Sequence, residues 1–404
     1  MALPAYVMAF IFLGVMDFSG PVQQLLRTVP GFENRMFEVR SAPYVILVIG
    51  LTLYPYVYLL SRTSFMNQGR AILEASRTLG LRPSRAFFKV ALPMSRPWIV
   101  SGLALVLMET LADFGAVSIF NYDTFTTAIY KSWFGFFSLK AAAQLSSLLV
   151  ILAVTLVFVE GLFKKRMRYY DSSRGAVAYT RLKLTGWQSL MVVAYCSTIL
   201  FVAFIAPILQ LTLWSMKVVR SGESTAYLEV IVKTLFLGAA AAAIICLAAV
   251  LLAYSRRRNK SWSNRVLSRI ATVGYALPGT VLAVGIFIPL SKFDNLLRKA
   301  VEAIAHIDPG PIFQGTLVVM LAAYLIRFLA VGFGAVDSGM QNIKPSLDEA
   351  SAILGRRGGE TLREIHFPLL KKGLLTALVL VLVDVIKEMP ITLMTRPFGW
   401  DTLA

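Results

Sequence analysis

One twenty-residue stretch occurs twice in this chain of 404 residues, and this repeat constrains the fold more than any other feature. The first copy, at 74–93, reads EASRTLGLRPSRAFFKVALP, and the second, at 349–368, reads EASAILGRRGGETLREIHFP. Seven of the twenty aligned positions are identical at a constant offset of 275 residues, and each copy precedes a long apolar run. The sequence therefore predicts a duplicated unit.

The apolar residues are gathered into long runs. They make up 57% of the chain, whereas charged residues make up only 15%. Runs of this kind predict helices that cross a bilayer. We therefore predict an all-α, polytopic membrane protein with nine spans present of about twelve in two units of six. The predicted spans are about 3–18, 43–60, 97–120, 142–163, 188–216, 227–254, 268–291, 315–337 and 372–394.

Basic residues alternate between loops and so predict the orientation of the chain. Four loops hold 24 Lys and Arg residues, and the four that alternate with them hold only 10. Because cytoplasmic loops carry the excess of Lys and Arg, we place the basic set in the cytoplasm. The basic loops are 61–96, 164–187, 255–265 and 338–371.

The repeat also predicts the domain boundaries. We expect a first transmembrane domain at 1–165, a basic cytoplasmic linker at 166–187 and a second transmembrane domain at 188–404. The tripeptide ALP at 2–4 recurs at 276–278, so residue 1 aligns with the middle of the second unit. We therefore expect the chain to be part of a longer protein, lacking about two spans in front and one behind.

Each copy of the repeat predicts a helical elbow on the cytoplasmic face, made of two short helices joined by a glycine turn. In the first copy we predict a helix at Ala71–Leu79 and a left-handed stop at Gly80. Pro83 would then begin the second helix, and Pro93 would break it before the span. Two similar elbows would present two similar docking surfaces to a two-fold symmetric partner.

A purely local role for the repeated glutamate is the alternative to docking. Ser346 to Glu349 matches a capping box, in which the glutamate serves only its own helix start. That account fails in the first copy, because Ala71 at the matching position has no side-chain acceptor. The predicted docking residues are Glu74, Ala75, Gly80, Arg82 and Pro93 in the first elbow, and Glu349, Ala350, Gly355, Arg357 and Pro368 in the second.

Each unit also carries two acids four residues apart in corresponding predicted spans. Carboxylates inside a span are costly and face either a cavity or a partner. They predict a cation path with oxygen ligands, and the structural alternative is neutralisation by Lys387 and Arg327. Both alternatives stay open, and no metal site is assigned. The candidate residues of the translocation path are Glu109, Asp113, Asp384 and Glu388.

The repeated stretch resembles the cytoplasmic EAA loop of importer-type ABC transporter permeases. The stretch 104–135, ALVLMETLADFGAVSIFNYDTFTTAIYKSWFG, is similar to the fused two-domain permeases of bacterial ferric-iron (iron(III)) uptake systems. The second copy departs from the first because Gly358-Gly359 replaces Pro83-Ser84. This replacement predicts a looser turn in the second elbow.

The resemblance implies a fold and a function. The fold would be a tandem duplication of type I (MetI-like) transmembrane domains. The chain would be a transport subunit and not an enzyme, moving ferric iron from a periplasmic binding protein across the inner membrane by alternating access. It would bind no cofactor, because ATP and Mg would bind to a separate ATPase dimer. The implied partners are that ATPase, a periplasmic iron-binding protein and the lipid bilayer, with no nucleic acid.

Two other functions remain open. A fused permease for thiamine or another small organic cation would share the elbows and the ATPase. A secondary transporter driven by an ion gradient would use the four acids as proton or sodium sites, but it leaves the duplicated elbow unexplained. A membrane enzyme is disfavoured, because no nucleophile, base and metal-ligand set occurs at one membrane depth.

Overall fold

The protein is built from apolar helices. Within the described part of the chain, the backbone consists of helices and loops and contains no strand. Eight of these helices are long and apolar enough to cross a membrane. The predicted all-α membrane fold is thereby confirmed. The computed structural model describes residues 3–29, 38–67, 76, 78–165, 185–220, 224–259, 261–306, 310–356 and 358–403.

The predicted ninth span, 372–394, corresponds to a helix at Phe367–Ile386. It carries Lys371, Lys372 and Asp384 and is not among the eight apolar helices. This helix ends at Ile386, and a separate short helix begins at Met389. The predicted span is therefore too long at its C-terminal end.

The first compact unit comprises Met1–Thr127 and Leu149–Ser221. Its core contains small, branched and aromatic side chains such as Ala9, Val48 and Phe120, all fully buried. The helices of this unit are α1 (Ala5–Met16), α2 (Pro21–Arg27), α3 (Ala42–Asn67), α4 (Pro83–Ala86), α5 (Leu92–Ala112) and α6 (Gly115–Ile119). They are followed by α7 (Phe125–Tyr130) and α8 (Leu139–Lys165), which extend into the second unit, and by α9 (Trp187–Leu200) and α10 (Ala206–Arg220).

The second compact unit comprises Ala128–Leu148 and Gly222–Ala404. Three of its long helices, α11 (Ser224–Arg258), α14 (Leu317–Gln341) and α17 (Phe367–Ile386), pack against one another around Ala242, Met320 and Val381. Alanines in this cluster, Ala241, Ala242 and Ala323, let the helix backbones approach closely. The helices of this unit are α11 (Ser224–Arg258), α12 (Trp262–Ala271), α13 (Gly279–Ala305), α14 (Leu317–Gln341), α15 (Pro345–Ile353), α16 (Gly359–Thr361), α17 (Phe367–Ile386) and α18 (Met389–Thr395).

Ala128–Leu148 belongs to the first repeat in sequence but clusters with the second compact unit, where Trp133 contacts Phe287 with ring centroids 4.7 Å apart. The predicted linker at 166–187 lies outside the described residues except for its last three. The domain boundaries inferred from the repeat therefore remain a prediction.

Two further predicted spans are interrupted. The predicted span 97–120 ends as a helix at Ala112, and a short helix follows at α6. The predicted span 268–291 is broken between Ala271 and Gly279, where a 3₁₀ turn leads to Pro278. Proline cannot continue the preceding helix, since it lacks an N–H and its ring clashes with the preceding turn. The apolar character of the sequence continues across both breaks, so hydropathy alone does not reveal them.

The predicted break at Pro93 is wrong. A π-helical turn at Phe87–Ala91 joins α4 to α5, so that the elbow runs into the span without interruption. The second copy repeats this arrangement, with a π-helical turn at Leu362–His366 before α17 and Pro368. A π turn shifts the backbone hydrogen bonds by one residue, which accommodates a proline that would interrupt an ordinary α-helix.

Candidate functional site

The glycine turns of the two elbows have the same geometry. Gly80 has φ +81° and Gly355 has φ +77°, both in the left-handed region that favours glycine. The N–H of Leu81 donates to the carbonyl of Ser76 at 3.1 Å, and the N–H of Arg356 donates to that of Ser351 at 3.0 Å. These bonds close a glycine-terminated helix end in both copies. The predicted left-handed stops are confirmed, as is the helix start at Pro83.

Several predicted docking residues can be placed, and others cannot. Arg82, Glu349 and Ala350 are exposed. The capping-box alternative for Glu349 is not observed, because α15 begins at Pro345 after Lys344 and its N-cap makes no side-chain bond. Glu74, Ala75 and Arg357 lie outside the described residues, as does most of the predicted helix at 71–79.

Large apolar side chains are exposed at the tips of both elbows. Leu79 and Leu354 occupy corresponding positions just before the glycines and are 82% and 80% exposed, and the neighbouring Ile353 is 86% exposed. Sequence analysis missed these residues, although the leucine is one of the seven identities of the repeat. Exposed apolar side chains on an otherwise polar loop are typical of a protein–protein contact.

A buried polar chain anchors the second elbow to its own transmembrane helices. The side chain of His366 is buried, and its Nε2 donates to Oδ1 of Asp348 at 2.6 Å. The other carboxylate oxygen of Asp348 accepts from Nε of Arg257 at 2.8 Å. Since a charged partner strengthens a hydrogen bond, this chain fixes the two elbow helices to the end of α11.

Arg257 also closes the end of α14. Its guanidinium donates to the carbonyl oxygen of Met340 at 2.6 Å and to that of Ile343 at 3.0 and 3.1 Å. The last carbonyls of a helix have no partner within that helix, and a cation favours the negative end of the helix dipole. One side chain therefore joins α11, α14 and α15.

Residues that follow the second elbow's glycine turn, beginning with Gly358, bond to other helices. Gly358 has φ +58°, and its carbonyl accepts from the hydroxyl of Tyr254 at 2.7 Å. The hydroxyl of Ser351 lies 2.9 Å from that of Thr361, which ties α15 to α16. Contacts with a distant helix and with α15 therefore hold the residues on the far side of this turn, and the looser turn expected from the Gly358-Gly359 pair stays a prediction.

Ser351 is shared with the first copy as Ser76, but the acid and the histidine of the buried polar chain are not part of the repeat. At the same offset of 275 residues, Asp348 corresponds to Leu73 and His366 to Ala91. The only sign in the sequence that these two residues have a particular role is that they differ in type from the residues at the same positions of the first copy.

The second acid of each pair lies beyond the end of its predicted span's helix, so the two acids do not lie on one continuous helix. Asp113 follows the end of α5, and its Oδ1 accepts from the N–H groups of Ala116 at 3.1 Å and Val117 at 3.2 Å. It therefore caps α6, since carboxylates satisfy the free N–H groups of a first helical turn. Asp113 has a structural function in this position.

Glu388 caps the corresponding short helix in the second unit and also forms an ion pair. Its Oε1 accepts from the N–H of Ile391 at 3.4 Å, and its Oε2 lies 3.1 Å from Nε of Arg327. Nη1 of Arg327 donates to the carbonyl of Leu277 at 2.9 Å. A Cβ at Gly279 would collide with Oε1 of Glu388, so glycine is required beside this pair. The neutralisation by Arg327 that the structural alternative required is present for Glu388.

The remaining acids, Glu109 and Asp384, are half-buried within their helices. Among the described residues, no group of three or more His, Cys, Asp or Glu side chains is arranged to hold a metal ion. Nothing in this arrangement tests whether these two acids line a translocation path, and that assignment stays a prediction.

Comparison with known protein families gives one match that covers most of the chain. The family is described as the binding-protein-dependent transport system inner membrane component, and it matches residues 1–169 and 245–399. The two matched segments contain the first and second elbows, respectively.

Individual relatives include transport permeases for different cargoes. An Fe(3+)-transport system permease protein of Haemophilus influenzae is 24% identical over 382 residues, covering 93% of this chain and 72% of the relative. A ferric transport system permease protein of Actinobacillus pleuropneumoniae is 25% identical over 380 residues, covering 89% of this chain but only 53% of the relative. A molybdenum transport system permease protein of Haemophilus influenzae is 27% identical over 161 residues, covering 39% of this chain and 69% of the relative.

Proposed function

This chain belongs to the family of binding-protein-dependent transport system inner membrane components, and we propose that it is the permease subunit of an ATP-driven importer of ferric iron. It would receive the iron from a periplasmic binding protein and pass it through the membrane by alternating access. A separate ATPase dimer would bind and hydrolyse ATP.

The duplicated elbow is the observation that carries this proposal. Each elbow presents an exposed leucine, Leu79 or Leu354, next to a left-handed glycine turn in a loop that the distribution of basic residues places in the cytoplasm. Two such surfaces suit a two-fold symmetric ATPase. An ion-gradient transporter has no comparable need for two cytoplasmic docking surfaces.

The connection of each elbow to its span supports a role in transmission. The chain runs from Ser84 to Ala112 as one helix, with the π-helical turn Phe87–Ala91 inside it. A displacement of the elbow would therefore move the cytoplasmic end of the span as well. We propose that closure of the ATPase dimer drives the membrane helices in this way.

Iron as the cargo is supported by relatives that cover about nine-tenths of the chain. Two of them are described as Fe(3+) or ferric transport permeases. The molybdenum permease covers 39% of the chain, and so it supports the fold of one unit more than the cargo of the whole. The chain spans 53% of the length of one ferric relative, and activity, cargo and partners are therefore proposals.

Of the four acids, we retain Glu109 and Asp384 as candidates for the translocation path. Asp113 and Glu388 already cap short helices, and the charge of Glu388 is balanced by Arg327. A hard trivalent cation favours carboxylate oxygen, which is why the two acids not assigned to capping are the ones to test.

Uptake of radiolabelled ferric iron tests the cargo. Cells would carry the permease with its ATPase and binding protein, and uptake would be measured with and without excess thiamine. We expect uptake that requires ATP, persists in the presence of an uncoupler and is unchanged by thiamine. Inhibition by thiamine would support the organic-cation alternative, and loss with the uncoupler alone would support a secondary transporter.

Co-purification tests docking separately from the cargo. Glu74→Lys combined with Glu349→Lys reverses the charge of both repeated glutamates, and we expect the ATPase to be released while the permease stays folded in the membrane. Residues 292–314 are one of the loops that alternate with the basic set, and we call this stretch the predicted outer loop. Glu302→Lys, in the predicted outer loop, changes one exposed glutamate in the same way and serves as the control. ATPase recovered at normal yield with the double variant would contradict docking through the elbows.

A further inference from the structure

A basic cavity lies in the second unit near the predicted cytoplasmic end of α11. Its volume is about 340 Å³, and it lies between the end of α11, the start of α12 and the end of α14. Three arginines line it, Arg256, Arg257 and Arg265, whereas Asp337 is its one acidic lining residue. The lining therefore has an excess of positive charge, which favours an anion.

Two of the arginines are held in place by the protein. Arg256 pairs with Asp337 at 3.3 Å, and Arg257 is fixed by its bonds to Asp348 and to the carbonyls at the end of α14. Arg265 is exposed and forms no ion pair with any residue that the structure describes. It therefore offers a complete guanidinium for bidentate binding of a phosphate.

The start of α12 adds to this preference for an anion. Ser261 lines the cavity, and its side chain accepts from the N–H of Asn264 as the N-cap of this ten-residue helix. The positive end of the helix dipole lies at this terminus and favours phosphate groups.

The outer face of α12 is apolar and uncovered within the described chain. Trp262 is 77% exposed, Leu267 is 62% exposed and Ile270 is 63% exposed. The polar side of the helix is turned inward instead, where Ser268 is buried and Asn264 bonds to the carbonyl of Ser255 at 2.8 Å. A helix of this composition lies in the membrane interface with its apolar face among the acyl chains and its tryptophan at headgroup level.

We propose that the cavity binds the phosphate headgroup of an anionic phospholipid from the cytoplasmic leaflet. The acyl chains would cover Trp262, Leu267 and Ile270, and the phosphate would bind Arg265 at the start of α12. A free anion would balance the positive charge of the cavity but leave the apolar face of α12 exposed to water. An acidic segment of the ATPase would also leave this face exposed, because an acidic segment is polar. This site does not depend on the cargo of the permease.

Native mass spectrometry of the purified full chain tests the site. The protein is released from nanodiscs that contain equal amounts of phosphatidylglycerol and phosphatidylcholine, and the retained lipids are counted. We expect preferential retention of phosphatidylglycerol, which Arg265→Ala should lower at least about ten-fold, as for the loss of a charge-assisted hydrogen bond to the phosphate. Arg269→Ala removes the same charge from an exposed position of α12 outside the cavity and should leave retention unchanged.

Three results would overturn the proposal. Equal losses in the two variants would indicate a diffuse attraction to the membrane surface and no cavity site. Inorganic phosphate would be compared with phosphatidylglycerol at matched ionic strength. If phosphate displaces the lipid and stabilises the lipid-free protein as well as the lipid does, the cavity is a free-anion site. Unchanged lipid retention in Arg265→Ala together with weaker co-purification of the ATPase would indicate an acidic protein partner. Arg265→Lys keeps the positive charge and should retain more lipid than Arg265→Ala. This result would show that the loss in the alanine variant is not due to misfolding.

Discussion

Arg327 Nε lies 3.1 Å from Oε2 of Glu388, with both side chains largely buried in the second unit. Nε has no hydrogen-bond geometry toward the carboxylate, so the contact is ionic, while Nη1 donates to the carbonyl of Leu277. The pair thereby joins α14 to the two points where the chain breaks, before α13 and before α18. At the same offset in the first unit stands Thr52, whose hydroxyl bonds within its own helix. The two units therefore differ in how their broken helices are held.

Removing one member of this pair should destabilise the protein. Arg327→Leu leaves the carboxylate of Glu388 buried without its partner, and we expect a loss of about 3–5 kcal/mol in the free energy of unfolding. Thermal unfolding in detergent should show this as a fall of roughly 10 °C in the apparent melting temperature.

A double variant separates the ion pair from general damage to packing. Arg327→Leu with Glu388→Gln should recover at least half of the loss, because no unpaired charge remains buried. Arg396→Leu removes an exposed pair with Asp401 and should cost less than about 1 kcal/mol. Equal losses in the single and double variants would mean that the charge pair is not the cause.

The sequence predicts what depends on local chemistry. The left-handed stops at Gly80 and Gly355 and the helix start at Pro83 follow from the conformational preferences of glycine and proline. The same preferences predicted a helix break at Pro93, but a π-helical turn accommodates this proline without ending the helix.

Contacts between distant residues could not be predicted from periodicity. Arg257 bonds to Asp348 across 91 positions, and no sequence pattern indicates this contact. The sequence offers Arg327 as one of two candidate partners for the acids, but its pairing with Glu388, 61 positions away, is seen only in the structure. Only the departure of the second copy from the first, as at His366, distinguishes such residues in a single sequence. The acids of the first unit were recognised, but the capping function of Asp113 required the helix end to be known.

The glycine turn of the second elbow should be sensitive to a single methyl group. Nothing lies within 4 Å of a Cβ built at Gly355, so Gly355→Ala costs only the left-handed backbone conformation, about 1–2 kcal/mol. Local opening should then rise, and trypsin should cleave after Arg356 roughly ten-fold faster. Gly359→Ala, at a position without positive φ and also without a steric clash, is the matched control. Equal cleavage rates in the two variants would contradict the assigned turn.

The anchoring of the second elbow should be visible by hydrogen exchange. Asp348→Asn weakens the bonds to both His366 and Arg257, and charged hydrogen bonds of this kind contribute about 1.5–3 kcal/mol each. We expect amide exchange in 345–366 to become roughly ten- to a hundred-fold faster, while exchange around Gly80 stays unchanged.

Asp337→Asn is the control for this change. It removes a carboxylate at the same end of α14, but that carboxylate pairs with the half-exposed Arg256. Exchange in 345–366 should keep its original rate in this variant. Faster exchange in both variants, or in neither, would show that the chain from Arg257 to His366 does not anchor the elbow.

The exposed leucines at the elbow tips should carry much of the docking energy. Leu79→Asp and Leu354→Asp each replace an apolar contact by a charge that would have to be buried in the interface, and we expect recovery of the ATPase to fall at least about ten-fold. Ile304→Asp alters a side chain that is 83% exposed in the predicted outer loop and should leave recovery unchanged. Because the second elbow is anchored by Asp348 and Arg257, Leu354→Asp should have the larger effect: a rigid surface loses less conformational entropy on binding and so contributes more of the affinity. A larger effect of Leu79→Asp would show that the first elbow, without these anchors, dominates docking.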